Sequence, residues 1–246
     1  MIPALVLTAG LATRLRPLSL VRAKAALPVA GEPLVGRILR QLSSAGVEDV
    51  VLNLHHLPHS ITRQVGDGAQ LGLRVRYSWE DPVLGSAGGP KRALPLMRAL
   101  EGSPSAFLIV NGDTLTDLRV APLIEAHQAS GALVTLTLAP NREPDTFGGV
   151  LLDHNGHVNG FVRRGAAAVG SYHFFSTQIA SASVFEGLER GRAESTIGGV
   201  YDRLIATRPG SIRGYLTDAA YWHVETVDEY ERTSADIAAR EGGATR

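Results

Sequence analysis

Short, fully apolar runs alternate with helical patterns through the first 140 residues, and this alternation constrains the fold more than any other feature. Residues 2–8 and 106–110 are apolar runs of strand length. Residues 33–45 carry apolar side chains at helical spacing, and Gly46 follows as a stop signal. Strands buried on both faces are typical of a parallel sheet covered by helices. We therefore predict an α/β domain with a central, mostly parallel sheet.

The remaining elements follow from the same two periodicities. Further strands are expected at residues 49–54, 73–77 and 133–139, and helices at 58–65, near 121–129, and from a glycine-bearing loop at 84–89 through residue 100. From about residue 147 the pattern changes, and we expect a lid and an extra sheet on the same domain. The expected elements there are strands at 149–153 and 158–164 around a turn, a strand at 172–182, helices at 183–187 and 196–207, strands at 212–216 and 221–224, and a helix at 228–240.

Composition excludes several classes of function. The 24 Lys and Arg residues equal the 24 Asp and Glu residues in number, and a chain without net charge is not expected to bind nucleic acid or an anionic membrane. Cysteine is absent, which excludes disulfides and thiol catalysis and fits a reducing cytosol. No apolar stretch approaches a membrane-spanning length. We therefore expect a cytoplasmic protein whose partners are neither nucleic acid nor membrane.

The loop after the first expected strand combines small residues with cations. Residues 8–13 form a small-residue turn, and Arg14, Arg16, Arg22 and Lys24 follow it. Such a turn exposes successive backbone N–H groups, which bind phosphate oxygens together with fixed positive charge. The pattern is neither the Walker lysine motif nor the dinucleotide Gly-x-Gly-x-x-Gly motif. Taken alone, a basic loop of this kind is more often an ordinary solvated surface.

The second candidate lies at the end of the buried run 106–110, where Asn111, Gly112 and Asp113 follow. A carboxylate just past a buried strand is well placed to hold Mg²⁺, although Asn-Gly-Asp also forms turns and caps. Ligand crevices in parallel sheets lie at the carboxyl ends of the strands. Together the two loops predict a polyphosphate site for phosphoryl or nucleotidyl transfer.

The order of these motifs resembles a known family. The run Leu-Thr-Ala-Gly-Leu-Ala-Thr-Arg-Leu-Arg-Pro-Leu at 7–18, Lys24 and residues 28–34 are similar to the signature of sugar-1-phosphate nucleotidylyltransferases, and residues 84–89, 111–113 and 147–150 match it in order. The resemblance covers about residues 3–235, and the length is most like that of bacterial mannose-1-phosphate guanylyltransferase-like and N-acetylmuramate-1-phosphate uridylyltransferase-like members. It implies a Rossmann-like nucleotidyltransferase fold, one domain over 1–246, with a nucleotide-binding core at 1–140 and a sugar-binding or lid part at 141–246.

The resemblance also implies a reaction and a set of site residues. An NTP and a sugar 1-phosphate give an NDP-sugar and pyrophosphate, with Mg²⁺ as the ion and Mn²⁺ as an alternative. No side-chain base is needed, because a phosphate monoester has its second pKa at about 6 and its attacking oxygen is already an anion. By resemblance, the catalytic residues are Arg14, Lys24 and Asp113; the nucleotide-binding residues are Ala9, Gly10, Thr13, Glu80 and Gly85; the sugar-phosphate-binding residues are Gly148, Arg163, Arg164 and Gln178; and the metal ligands are Asp113 and His223.

Several positions depart from the family pattern. Ala12 stands where the family has a Gly, and we expect the turn to survive only if this residue keeps a negative φ. Ser176 also replaces a Gly, and its side chain is expected to crowd the sugar. His223 replaces the second metal-binding Asp, and an imidazole is a poor partner for Mg²⁺. Arg163 replaces a Glu that bonds sugar hydroxyls in many members, so we expect an unusual or negatively charged sugar.

Two functions of different classes remain open from the sequence. The first is a working sugar-1-phosphate nucleotidylyltransferase, which the intact basic and acidic residues of the two loops favour. The second is a catalytically weakened paralogue that binds a nucleotide or nucleotide-sugar as a sensor or regulatory subunit, which the changes at Ser176, His223 and Glu225 favour. A dinucleotide oxidoreductase is less favoured, because the first turn lacks the required glycines. The base, the sugar and the oligomeric state, a homo-oligomer included, are left open.

Overall fold

The computed structural model describes residues 2–100 and 104–243. The strands within these residues are β1 (Ala4–Leu7), β2 (Pro28–Val29), β3 (Glu32–Pro33), β4 (Asp49–Leu54), β5 (Arg74–Trp79), β6 (Ala106–Asn111), β7 (Thr114–Thr116), β8 (Val134–Pro140), β9 (Gly149–Leu152), β10 (Val158–Val162), β11 (Tyr172–Ser181), β12 (Ile212–Leu216) and β13 (Tyr221–His223). The helices are α1 (Leu34–Ser44), α2 (Pro58–Val65), α3 (Gly85–Arg98), α4 (Val120–Ser130), α5 (Ser183–Glu186), α6 (Tyr201–Thr207) and α7 (Val227–Gly243).

A mixed sheet forms the centre of the molecule, and nine of the described strands belong to it. Its first half is parallel, in the order β6-β1-β4-β5, with Leu5 paired to Ile109 on one side and to Val51 on the other. β11 runs antiparallel to β6 and pairs in turn with β8 and β9. β12 is parallel to β8, and β10 is antiparallel to β9. The strands beyond residue 140 therefore extend the sheet that the first half begins.

Helices cover both faces of this sheet because its central strands are apolar on both sides. Ala4 and Val6 pack into one core cluster with the buried stripe of α1, whereas Leu5 packs into the opposite cluster with α3. Successive side chains of a strand point to opposite faces, so an uninterrupted apolar strand needs a cover on each. The prediction of an α/β fold with a mixed central sheet flanked by helices is confirmed.

Most element bounds agree with the sequence predictions to within about two residues, but two segments differ. The glycine-bearing segment predicted as a loop forms the first turns of α3, which begins at Gly85. The helix predicted over 196–207 begins at Tyr201, because Ile197 and Gly198 have non-helical backbone angles. Strands β2, β3 and β7 were not predicted, since two or three residues are too few to show a period of two.

A separate small sheet positions the second half of the chain against the first. β13 pairs antiparallel with β7, so that His223 lies opposite Thr114. The N–H of Val224 donates to the carbonyl of Asp113 at 2.9 Å, which extends this pairing by one residue. Within residues 2–100 and 104–243, no helix combines the length and the apolar character needed to cross a membrane.

Candidate functional site

The two loops singled out in the sequence lie side by side. Leu7, the last residue of β1, pairs with Asn111, the last residue of β6. The N–H of Gly112 donates to the carbonyl of Leu7 at 3.0 Å. A Cβ at Gly112 would stand 2.5 Å from the Leu7 carbonyl oxygen, so only glycine allows this approach. The prediction that both loops share one edge of the sheet is confirmed.

Lys24 and Asp113 form an ion pair between these loops. The Lys24 Nζ lies 2.8 Å from Asp113 Oδ2, with side chains 16% and 24% exposed. Burial raises the pKa of the Asp113 carboxyl, whereas the charge of Lys24 and its hydrogen bond lower that pKa. The lowering effects together outweigh burial, so the pKa of Asp113 falls below its ordinary value. Asp113 is therefore a carboxylate near neutral pH, partly open to solvent and next to a fixed cation.

Arg14 follows the first loop and lies in the short 3₁₀ turn Thr13–Leu15. Its guanidinium pairs with the carboxylate of Glu225, which follows β13. The Arg14 side chain is 66% exposed, and exposed ion pairs contribute only about 0–1 kcal/mol. An incoming phosphate group can therefore displace Glu225 from Arg14 at low cost.

Ala12 corrects one expectation about the first loop. The turn was expected to survive only if Ala12 kept a negative φ, but Ala12 adopts the left-handed conformation, with φ 48° and ψ 44°. The turn survives nevertheless, because Leu15 donates to the Ala12 carbonyl at 3.0 Å. For an alanine this conformation costs roughly 1–2 kcal/mol. Of the neighbouring positions, Ala9 is buried and Gly10 is exposed, with open space where a Cβ would stand.

A chain of hydrogen bonds runs from Asp113 to two histidines. The Thr114 hydroxyl donates to Asp113 Oδ1 at 3.1 Å and lies 3.0 Å from His223 Nδ1. His223 Nε2 lies 3.1 Å from the Nε2 of His173, and the ring of Phe147 packs 4.3 Å from the His173 ring. Neither Thr114 nor His173 was predicted from the sequence. An inward-facing histidine on β11 was the available signal, but its partner on β13 is 50 residues away in the chain.

Burial dominates the electrostatics of these histidines. The side chain of His173 is buried, and its pKa is lowered from 6.5 to about 4, chiefly by burial and further by the charge of His223. His173 is therefore neutral at physiological pH. A neutral imidazole has one N–H donor and one acceptor nitrogen, so its hydrogen bonds depend on the tautomer.

Asp113 has the chemistry to hold a divalent cation. Mg²⁺ prefers oxygen ligands and usually binds through one or two carboxylates together with substrate phosphates, which fits a single partly exposed carboxylate. His223 lies next to Asp113 in space, as the sequence predicted for a second ligand, but each of its ring nitrogens already faces a partner. Among residues 2–100 and 104–243, no group of three or more His, Asp or Glu side chains is arranged to hold a metal ion.

Glu80, predicted to bind the nucleotide, links three segments of the first half of the chain. Its Oε1 accepts from Asn53 at 2.7 Å, and its Oε2 accepts from the Leu84 N–H at 2.8 Å, immediately before α3. Asn53 in turn accepts from the Thr8 N–H at 2.5 Å. Gly85 begins α3 at φ +76°, where a Cβ would stand 2.8 Å from the Glu194 carbonyl. The base-binding roles of Glu80 and Gly85 stay predictions.

The residues predicted around the sugar phosphate lie in two environments. A Cβ at Gly148 would stand 2.8 Å from the Val162 carbonyl, which places Gly148 against the end of β10, where the exposed residues Arg163 and Arg164 follow. Gln178, in contrast, is 1% exposed and accepts a hydrogen bond from the Tyr201 hydroxyl. Their roles in sugar-phosphate binding stay predictions.

Ser176, expected to crowd the sugar, lies at an irregularity in β11. Its φ is +71°, and the register of β11 against β8 shifts between Phe174 and Gln178. The Ser176 hydroxyl is buried and has no hydrogen-bond partner among the described residues. The glycine-like conformation fits the expectation that this position replaces a Gly, whereas crowding of a sugar stays a prediction.

Comparisons with known proteins agree on one family. The family model for nucleotidyl transferases matches residues 3–236. Mannose-1-phosphate guanylyltransferase of Mycobacterium tuberculosis is 32% identical over 96% of this chain, which spans 64% of that protein. N-acetylmuramate alpha-1-phosphate uridylyltransferase of Neisseria meningitidis serogroup B is 35% identical, with 76% of this chain and 79% of that protein covered. Mannose-1-phosphate guanylyltransferase 1 of Arabidopsis thaliana is 28% identical over 76% of this chain, which spans 52% of that protein.

Solved structures share the fold. A putative glucose-1-phosphate thymidylyltransferase from Bacillus anthracis, in complex with a sucrose, superposes with a TM-score of 0.83 at 17% identity, covering 97% of this chain and 96% of that one. HddC from Yersinia pseudotuberculosis complexed with GMP-PN superposes with a TM-score of 0.78 at 22% identity, covering 96% and 100%. At these identities the likeness concerns the fold alone.

Proposed function

Because this chain belongs to the sugar-1-phosphate nucleotidylyltransferase family, we propose that it transfers a nucleotidyl group from an NTP to a sugar 1-phosphate in nucleotide-sugar synthesis. The observation that carries this proposal is the Lys24–Asp113 ion pair at the shared edge of β1 and β6. This ion pair places a cation and an ionised carboxylate beside a turn with exposed backbone. A polyphosphate substrate requires such groups for binding.

The chemistry asks for positioning rather than for a side-chain base. An oxygen of the sugar phosphate forms a bond to the α-phosphorus of the NTP, and the bond from that phosphorus to the bridging oxygen breaks, so that pyrophosphate leaves with the electron pair. The attacking oxygen is already ionised near neutral pH. Catalysis then depends on holding the two anions in line and on stabilising the charge of the leaving group.

Lys24 and Arg14 would bind phosphate oxygens, and Asp113 would bind the divalent ion. The Lys24 ammonium has three N–H donors, and Asp113 uses one of them, which leaves two for phosphate oxygens. The Arg14 guanidinium, at the exposed end of the site, binds phosphate after release from Glu225. Asp113 and the NTP phosphates would together hold a divalent ion, Mg²⁺ or Mn²⁺, which neutralises phosphate charge when bound.

The choice of base and sugar depends on residues away from this ion pair. The curated relatives are named for guanylyl and uridylyl transfer and for mannose 1-phosphate and N-acetylmuramate 1-phosphate, and we propose that the substrates belong to the same classes. Both bases present N–H groups to an acceptor, so a carboxylate such as that of Glu80 does not distinguish them. Arg163 and Arg164 are exposed cations beside Gly148, which favours a sugar phosphate with a further anionic group.

A second candidate is a binding protein of the same fold without turnover. The observation that favours it is at His223, which replaces the metal-binding Asp of the family pattern and whose two ring nitrogens already face partners. Such a protein would bind a nucleotide or nucleotide-sugar as a sensor or regulatory subunit. Phosphate binding would still use the Lys24 side of the site.

A pyrophosphate-release assay separates the two candidates. The full chain is tested with each NTP and a panel of sugar 1-phosphates, with Mg²⁺ and with Mn²⁺, while calorimetry measures NTP binding. Release with at least one pair, abolished by Asp113→Asn and unaffected by removal of the exposed charge in Glu189→Gln, supports the transferase. NTP binding without release from any pair supports the binding protein, and no NTP binding at all contradicts both.

A further inference from the structure

The geometry points to His223 and His173 as positioning residues that orient the Asp113 carboxylate through Thr114, and not as ligands of the ion that Asp113 would hold. The hydrogen-bond directions that support this inference follow from the distances between the side-chain atoms and from the number of protons that each group carries. Its catalytic consequence rests on the proposed function.

The Thr114 hydroxyl determines the direction of the first two hydrogen bonds. An ionised carboxylate only accepts, so the single hydroxyl proton of Thr114 goes to Asp113 Oδ1. The Thr114 oxygen can then only accept from His223 Nδ1, which lies 3.0 Å away. His223 therefore carries a proton on Nδ1.

Counting the imidazole protons in the same way gives the direction of the hydrogen bond between the two histidines. A neutral His223 with its proton on Nδ1 has its lone pair on Nε2. His173 Nε2, 3.1 Å from this atom, must then be the donor, because two lone pairs facing each other at this distance would repel. With a neutral His223, every hydrogen bond in this series therefore points the same way: His173 donates to His223, His223 donates to Thr114, and Thr114 donates to Asp113.

This arrangement leaves His223 with no free nitrogen toward Asp113. The nitrogen on the Asp113 side, Nδ1, carries a proton and donates to Thr114, while the lone pair on Nε2 lies on the far side of the ring and accepts from His173. A shared ion would require His223 to lose the Nδ1 proton and Thr114 to lose a partner. His223 instead acts as outer-shell ligands commonly do in metal sites, by fixing the orientation of the group that binds the metal.

Aromatic rings hold this chain of hydrogen bonds in place. Phe147 packs against both histidines, with ring centroids 4.3 Å from His173 and 5.2 Å from His223. Tyr221 lies 5.3 Å from each histidine ring and stacks on Phe175. His173 is buried among these rings, where the low dielectric strengthens its hydrogen bond and the packing restricts its rotation. The Asp113 carboxylate is thereby held by two fixed groups, Lys24 on one oxygen and Thr114 on the other.

Long-range ¹H–¹⁵N spectra of the histidine side chains test the proton positions directly, without any requirement for activity. The full chain has eight histidines, and His173→Gln and His223→Gln variants assign the two signals. At about pH 8, above the ordinary histidine pKa of about 6.5, we expect a proton on Nδ1 of His223 and on Nε2 of His173. We expect the same pattern after addition of Mg²⁺ with GTP or with UTP. A bare Nδ1 on His223, or a metal-dependent shift of either His223 nitrogen to a ligand-like position, would overturn the inference.

Substitutions of the hydrogen-bonded residues test the catalytic consequence of the inference. The quantity measured is the Mg²⁺ concentration that gives half the maximal rate. Loss of an outer-shell partner typically weakens metal binding about 10- to 100-fold, so we expect a rise of about tenfold for Thr114→Val. Thr114→Ser, which keeps the hydroxyl, should restore most of the wild-type value. His127→Gln is the matched control, since His127 is also buried and bonded to a threonine, Thr135, outside the site.

Two substitutions at position 223 distinguish a residue that positions Asp113 from a residue that binds the metal ion. His223→Asn keeps an N–H donor near the place of Nδ1 and should raise the Mg²⁺ requirement only slightly. His223→Asp adds an oxygen ligand but removes the donor, so that two carboxylates compete for one hydroxyl proton, and should raise the requirement by at least tenfold. If His223→Asp lowers the Mg²⁺ requirement, His223 occupies a ligand position and the inference fails. If the wild type shows no turnover, the proposed function fails, while the spectra still decide the proton positions.

Discussion

The two sides of the candidate site differ in how they carry charge. The phosphate side, which consists of residues 8–24 and Asp113, presents a paired ammonium and carboxylate that are partly open to solvent. The histidine side, which consists of His173 and residues 221–225, presents two hydrogen-bonded imidazoles among aromatic rings. Under the proposed function, the phosphate side would bind the charged groups of the substrate, and the histidine side would hold the groups of the phosphate side in place.

The two sides also differ in how well they match the family pattern: the phosphate side agrees with it and the histidine side departs from it. Arg14, Lys24 and Asp113 stand where the resemblance places the catalytic residues, and Lys24 and Asp113 meet in space. His223 and Glu225 are departures, and each contacts a residue of the phosphate side, His223 through Thr114 and Glu225 through Arg14. The changes on the histidine side therefore act on the phosphate side by hydrogen bonding and charge.

Removal of the charge pair should have the largest effect. Lys24→Ala and Asp113→Asn each remove a group that would stabilise phosphate charge, and loss of one such electrostatic contact typically costs about 10²–10³ in kcat. Pyrophosphate release measured at saturating NTP checks this. The exposed charge removal in Glu189→Gln serves as the control, and activity within a few-fold of the wild type in both site variants would contradict the division between the two sides.

The buried histidine should make stability depend on pH. The pKa of His173 in the folded chain is lowered to about 4 from 6.5 by burial and by His223, so the unfolded chain binds more protons between these pH values. Stability from this group is complete above pH 6.5 and is lost as the pH falls toward 4, by at most about 3 kcal/mol. We expect the His173→Gln variant to lose less stability over this range than the wild type.

Urea unfolding at pH 7.5, 5.5 and 4.5 measures this difference between wild type and His173→Gln. His127→Gln provides the comparison outside the site, since burial lowers the pKa of His127 as well. Equal slopes of unfolding free energy against pH in wild type and His173→Gln would show that His173 is not a buried neutral group.

The contact between Arg14 and Glu225 should produce a smaller effect. Glu225→Gln removes the carboxylate that competes with phosphate for the guanidinium, and an exposed pair is worth about 0–1 kcal/mol. We therefore expect the KM for NTP to fall by up to about fivefold, with kcat little changed. Glu231→Gln, which removes an exposed charge from α7, is the control. An increase of KM in Glu225→Gln would show that Glu225 positions Arg14 for the substrate.

The left-handed alanine should give the smallest effect. Ala12→Gly relieves roughly 1–2 kcal/mol of backbone strain but adds unfolded-chain entropy worth about 0.4–1 kcal/mol, so a net stabilisation of roughly 0.5 kcal/mol is expected. Urea unfolding measures it. A clear loss of stability in Ala12→Gly would mean that the positive φ of Ala12 is not strained in this turn.

The fold could be predicted from the sequence because its central strands are apolar on both faces and its helices carry regular stripes. β4, α2 and β12 begin and end at the predicted residues. Strands β2 and β3, which pair with each other, were missed because two residues are too few to show a period. The non-helical turn at Ile197 was missed because the neighbouring Thr196 N–H donates to the Ser86 hydroxyl, 110 residues away in the chain.

The proximity of Lys24 and Asp113 could be predicted from the sequence, whereas the contacts on the histidine side could not. Lys24 and Asp113 belong to motifs with fixed order and spacing, and these motifs identify them. The contact of Thr114 with His223 spans 109 residues and joins two three-residue strands, so no local pattern reveals it. The expectation that the turn survives only with a negative φ at Ala12 was wrong, because residue preference alone does not include the hydrogen bond that closes the turn.

The most direct test compares Asp113→Asn with His223→Asn in one pyrophosphate-release assay at saturating Mg²⁺. With the metal saturated, a positioning residue should matter little, whereas the carboxylate that holds the ion should remain essential. We expect a loss of at least about a hundredfold for Asp113→Asn and of less than about tenfold for His223→Asn. Equal losses in the two variants, or no pyrophosphate release by the wild type with any substrate pair, would contradict the account.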